Sequence, residues 1–80
     1  MTAQIDARGL RCPLPVLKLE KWLDNAAPDA TVIILATDPV AKIDIPHFCN
    51  QNGHVCAVAD TEEAVAFTVT KRSRGGSGTI

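Results

Sequence analysis

Three cysteines and two histidines carry most of the reactive chemistry available to this 80-residue chain. One cysteine is set apart by its neighbours, in the run Arg11-Cys12-Pro13-Leu14-Pro15. Pro13 disfavours the helical region for Cys12, and Pro15 does the same for Leu14. Both prolines are tolerated in a first helical turn, where the amide protons they lack would have no intrahelical partner. The run therefore predicts a helix that begins around Pro13–Pro15, with Cys12 at or just before its N-terminus. The helix macrodipole favours an anion there, and Arg11 adds a positive charge beside it. Both features bias the thiol toward thiolate, the form that attacks sulfur or carries it. The spacing supplies no general base next to this nucleophile.

A second group, His47, Cys49, His54 and Cys56, gathers ligand-type residues within ten positions. Zinc sites use such residues, but at wider spacings than these pairs separated by one residue. On a helix His47 and Cys49 project about 200° apart, so one ion cannot take both without unwinding the turn. On a strand His54 and Cys56 share a face and make at most half a site. The expectation is no metal and no cofactor. Cys49 then reads as a small buried hydrophobe beside Phe48, and Cys56 as a strand residue.

Elements must position these residues, and the composition allows them to form. The chain is 46% hydrophobic and 21% charged with a net charge of −1, which excludes disorder and predicts a single small globular domain. Near-neutral charge gives no basic surface for nucleic acid or an anionic membrane. No apolar stretch approaches the ~20 residues of a membrane span, and Met1–Asp6 lacks the basic and apolar regions of a signal peptide. Three cysteines without an export signal read as reduced thiols in a cytoplasmic protein. Residues 1–72 are expected to form the domain, and 73–80 a flexible tail of loop-like composition. Gly75-Gly76 lies four residues from the end, so a C-terminal thiocarboxylate on that pair would need a processing step.

The domain parses as β-α-β-α-β-β. Ala3–Ala7 alternates as a short strand, and Arg8-Gly9 turns into the cysteine. In the first helix, ending near Asn25, Val16, Leu19, Leu23, Ala26 and Ala27 gather as the core stripe. Leu14 and Leu17 fall off that stripe, either as scattered exposed leucines or as an apolar collar around Cys12. Thr31–Ala36 is a β-branched run predicting a central strand with much of both faces covered. At Thr37-Asp38-Pro39 the aspartate can cap a helical turn and the proline can open it. Because Pro46 sits deep, the pattern predicts a short turn over 39–43, then a second helix capped by Asp44 and ended by Asn52-Gly53. His54–Asp60 and Ala64–Lys71 alternate as strands joined by a hairpin at Thr61-Glu62-Glu63, with Val65, Phe67 and Val69 inward. The economical packing is an α/β two-layer sandwich, two helices on one face of a mixed four-stranded sheet.

Gly9-Leu10-Arg11-Cys12-Pro13-Leu14-Pro15, Asp38-Pro39, Asp44-Ile45-Pro46-His47-Phe48-Cys49 and Gly53-His54 together resemble the TusA-type, or SirA-like, sulfur-carrier family. The resemblance spans residues 5 to 72 and implies the same two-layer sandwich. It also implies a persulfide carrier, with Cys12 receiving a sulfane sulfur from a cysteine desulfurase or rhodanese-like donor and relaying it to an acceptor protein. The family's acidic residue near the carrier cysteine maps to Asp38. Family destinations include tRNA thiolation, molybdenum-cofactor metabolism and sulfur oxidation. The candidate site is thus Cys12, with Arg11, Pro13, Leu14, Pro15, Leu17 and Asp38 in supporting or partner-binding roles. The expected form is a monomer that binds neither nucleic acid nor membrane. The alternative is a non-catalytic regulatory or interaction module on the same fold, in which the cysteine is retained but moves no sulfur.

Overall fold

The computed structural model describes residues 3–71, so the expected tail and its Gly75-Gly76 pair lie outside the described residues. The elements run β1 (Ala3–Ala7), α1 (Leu14–Asp24), β2 (Thr31–Ala36), α2 (Ala41–Asn52), β3 (Val55–Asp60) and β4 (Val65–Thr70). The sheet order is β1-β2-β4-β3. β1 is parallel to β2, which requires a crossover that α1 supplies. β4 runs antiparallel to both β2 and β3. This is the expected mixed four-stranded sheet, built from elements in the expected β-α-β-α-β-β order. Among the described residues no helix is long and apolar enough to cross a membrane.

Both helices share one face of the sheet with the core. The register sets Val32 against Val69, Ile34 against Phe67 and Ala36 against Val65, and all six side chains are buried. Leu19 and Leu23 of α1 and Ala41, Ile45 and Cys49 of α2 complete that cluster. Burying each large aliphatic or aromatic member stabilises the fold by roughly 1.5–3 kcal/mol. Val16 and Ala26 are only half-buried and Ala27, beyond the helix, is exposed, so the stripe of α1 is narrower than its sequence implied. Pro15 joins the buried set instead.

Three points about the elements go beyond or against the sequence reading. First, β2 is covered on one face only: Ile33 and Leu35 point away from the helices and are half-buried. Their shielding comes from flanking strands, Gln4 and Thr68 beside Ile33, and Asp6 and Ala66 beside Leu35. Second, the sequence put Val55, Ala57 and Ala59 on one face of β3 without assigning it a side, and that face is solvent-exposed, whereas Cys56 packs against the core. Third, α2 is continuous from Ala41, so Asp44 is not its cap and Pro46 lies in its interior. An interior proline removes the hydrogen bond to the carbonyl four residues back and costs about 3 kcal/mol. Ala41, Ile45 and Cys49, spaced by four, bury one side of the helix and offset that loss. The capping falls to Asp38, whose Oδ1 accepts from the Val40 amide at 3.0 Å and whose carbonyl accepts from the Ala41 amide at 2.9 Å. Gly53 ends the helix with φ +75°, a left-handed cap that other residues adopt only with strain.

Candidate functional site

The segment leading from β1 into α1 is held at several points. The Leu10 amide bonds the Ala7 carbonyl at 3.2 Å, and the Gly9 amide donates to Thr37 Oγ1 at 2.8 Å. Gly9 itself has φ +82°, which explains a glycine at that turn. The Leu14 amide donates to the Arg11 carbonyl at 2.8 Å, and the Leu17 amide to the Pro13 carbonyl at 3.0 Å. Pro13 occupies the N-cap position, and Pro15 falls within the first turn. Cys12 therefore stands immediately before the helix, as its sequence context implied, and its peptide bond to Pro13 is cis.

Asp38 binds this segment to the opposite helix. Its Oδ2 accepts from the Cys12 amide at 2.9 Å while Oδ1 accepts from the Val40 amide. One carboxylate thus fixes the backbone of the candidate nucleophile and the entrance to α2. The two amide bonds hold the Asp38 carboxyl below the usual carboxylate range, and the nearby charge of Arg11 adds to the effect. Arg11, Thr37, Asp38 and Pro39 line an open cleft of about 400 Å³ with Gly9 and Leu10. A second depression of about 440 Å³, beside Ile5, Lys21 and Trp22, is lined by no thiol or carboxylate.

The ionisation of Cys12 runs opposite to the sequence expectation. Its thiol is pushed up from 9.0 to about 11, first by burial, then by a hydrogen bond to the Asp44 carboxylate, with the charges of Asp44 and Asp38 adding to the rise. A helix N-terminus is worth roughly 0.3–1 kcal/mol, less than one pKa unit. Two nearby carboxylates and partial burial outweigh it. The resting site holds a protonated Cys12 whose S–H donates to Asp44. Sequence reasoning missed Asp44 by reading it as a cap. Its offset of three from Ala41, the first member of the buried stripe, places it beside that stripe, on the flank that meets Cys12.

The structure brings most of the predicted residues together and separates one. Arg11, Cys12, Pro13 and Asp38 share the turn, and Leu14 and Leu17 expose about half of their surfaces on the first turns of α1 (48% and 51%). Pro15 is buried beneath that turn, so it packs rather than presenting a surface. Val40 is also exposed where Asp38 holds its amide. The family model described as "Sulfurtransferase TusA" matches residues 3–71. The chain belongs to the TusA family. A crystal structure of a SirA-like protein from Desulfitobacterium hafniense has the same fold, with TM-score 0.79 at 20% identity over 91% of this chain and 100% of that one. As a TusA-family sulfur carrier, the chain needs an accessible thiol more than a closed pocket. Cys12, half-buried next to Arg11 of the open cleft, is that kind of thiol.

Proposed function

We propose that this protein relays sulfane sulfur between two partner proteins in the cytoplasm as a persulfide on Cys12. The observation that carries the reading is the placement of Cys12 in a TusA-family chain: half-buried, immediately before α1, its amide fixed by Asp38. In loading, the Cys12 sulfur attacks the outer sulfur of a donor persulfide. A new S–S bond forms on Cys12, the donor's S–S bond breaks, and the donor cysteine leaves as thiolate. The Cys12 proton passes to solvent or to the departing thiolate. Because Asp44 and Asp38 hold Cys12 protonated, a donor that brings cationic groups against them lowers the thiol's pKa on docking. Uptake of sulfur is thereby tied to the correct partner. The exposed Leu14 and Leu17 supply apolar contact at the same end, with Arg11 and Asp38 as charged edges.

The test is to incubate the protein with a cysteine desulfurase and cysteine and to weigh the intact chain. The expected product carries one added sulfur, mapped to Cys12 and removed by reductant. Loading that survives Cys12→Ser and disappears in Cys49→Ser or Cys56→Ser overturns the assignment. A folded protein that never loads favours the interaction-module alternative.

A further inference from the structure

The hairpin between α2 and β3 brings together two thiols that the sulfur relay does not use. Gly53 reverses the chain, and the His54 amide donates to the Cys49 carbonyl at 2.8 Å. This pins the end of the helix to the start of the strand. Cys56 sits opposite Val69, a core residue, so it faces the helix layer. Cys49 faces inward from α2 in the same cluster. From these two positions in the core cluster the thiols face each other closely enough for each to shift the other's ionisation. Access to the two differs sharply. Cys49 is 1% exposed, whereas Cys56 is half-buried on an edge strand whose Val55, Ala57 and Val58 are exposed.

We propose that Cys49 and Cys56 form a second thiol site, where Cys56 reacts with a peroxide and Cys49 resolves the product as an intramolecular disulfide. The Cys56 thiolate attacks one peroxide oxygen: an S–O bond forms, the O–O bond breaks, and the leaving oxygen takes a proton from water. Cys56 is oxidised by two electrons to the sulfenic acid as the peroxide is reduced. The Cys49 sulfur then attacks the Cys56 sulfur. The S–S bond forms, the S–O bond breaks, and the hydroxide leaves as water with the Cys49 proton. The close approach of the two thiols suits this division of labour, since it favours the anion on Cys56 and pushes the Cys49 thiol up. Exposure agrees with it, because the oxidant reaches Cys56 first. Small-molecule thiols reverse the modification by exchange. Cys49 stands on the second half of α2 and Cys56 on β3, and the pair does not depend on sulfur relay.

The experiment uses the full chain, treated with an equivalent of hydrogen peroxide, alkylated before and after unfolding, and digested with trypsin. One tryptic peptide, Ile43 to Lys71, carries both cysteines. The expected peptide has lost two hydrogens, resists alkylation even when unfolded, and regains two alkylatable thiols with dithiothreitol. With Cys49 replaced by Ala, or by Ser if the alanine variant does not fold, Cys56 should proceed to the sulfinic acid under excess peroxide. Separate oxidation of Cys56 with Cys49 still alkylatable after unfolding overturns the proposal. So does a disulfide that includes Cys12, or a Cys56 that stays reduced while Cys12 is oxidised.

Discussion

Helix α2 meets one reactive cysteine near its start and carries another contact near its end, and the two environments treat a thiol in opposite ways. Near the start, burial raises the Cys12 thiol most, and the Asp44 carboxylate beside it, with Asp38 also close, adds to the rise. Near the end, Cys56 faces Cys49 with no carboxylate in the contact, and its pKa falls. Cys12 has the helix N-terminus that conventionally favours thiolate, yet it is the thiol driven up to about 11. Burial and the group in contact decide the ionisation, and the dipole is too small to reverse them. In the proposed functions, one end of the helix keeps a nucleophile protonated until a partner arrives, and the other holds a thiol ready for small oxidants.

Removing the shared support should disturb both environments at once. Ile45 is fully buried between them on α2, and Ile45→Ala should cost about 2–5 kcal/mol by denaturant unfolding. Alkylation of Cys12 and of Cys49 in the native protein should both accelerate. Acceleration at one cysteine alone would mean that the two ends are held independently.

Asp44→Asn tests the contrast directly. It removes the carboxylate that raises the Cys12 thiol most, so the pH profile of Cys12 alkylation should move down from the value of about 11 expected of the native thiol. Each unit of that fall raises the thiolate fraction at pH 8 about tenfold. The profile of Cys56 should stay where it is. A Cys12 profile that does not move would assign the whole effect to burial.

Asp38→Ala should lower the melting temperature at pH 7 by less than the core change, since it removes the acceptor for the Cys12 and Val40 amides. The native carboxyl sits below its ordinary 3.8, so its contribution is complete above that pH. The gap from wild type should narrow as pH falls through the folded-state value. A gap that persists unchanged into strong acid would remove the charged clamp from consideration. Leu17→Ser should have the smallest effect on stability, within about 0.5 kcal/mol for an exposed position. Donor binding measured by titration should weaken by roughly 1–2 kcal/mol. An early melt with normal donor affinity would place Leu17 in a structural role.

Much of the architecture was legible because it rests on local pattern. The β-branched run at Thr31–Ala36, the alternation of Val65, Phe67 and Val69, and Asn52-Gly53 each named an element that is present. The position of Cys12 before α1 was legible for the same reason, since prolines act on their immediate neighbours. Long-range relations were not. Asp44 read as a cap because Pro46 argued against a continuous helix, and only the buried stripe of α2 overrides that proline. Its contact with Cys12 crosses between helices, which no spacing rule encodes. Cys49 read as a small buried hydrophobe and Cys56 as a strand residue, because their partnership depends on the register of β3 beside β4.

The most direct measurement of the relay is intact-mass spectrometry of the chain after a desulfurase and cysteine have acted, comparing wild type with Cys12→Ser and Cys56→Ser. Sulfur on Cys12 in wild type and in Cys56→Ser, with none in Cys12→Ser, is the expected result. Sulfur that follows Cys56, or a folded Cys12 that stays bare beside an active donor, would contradict it.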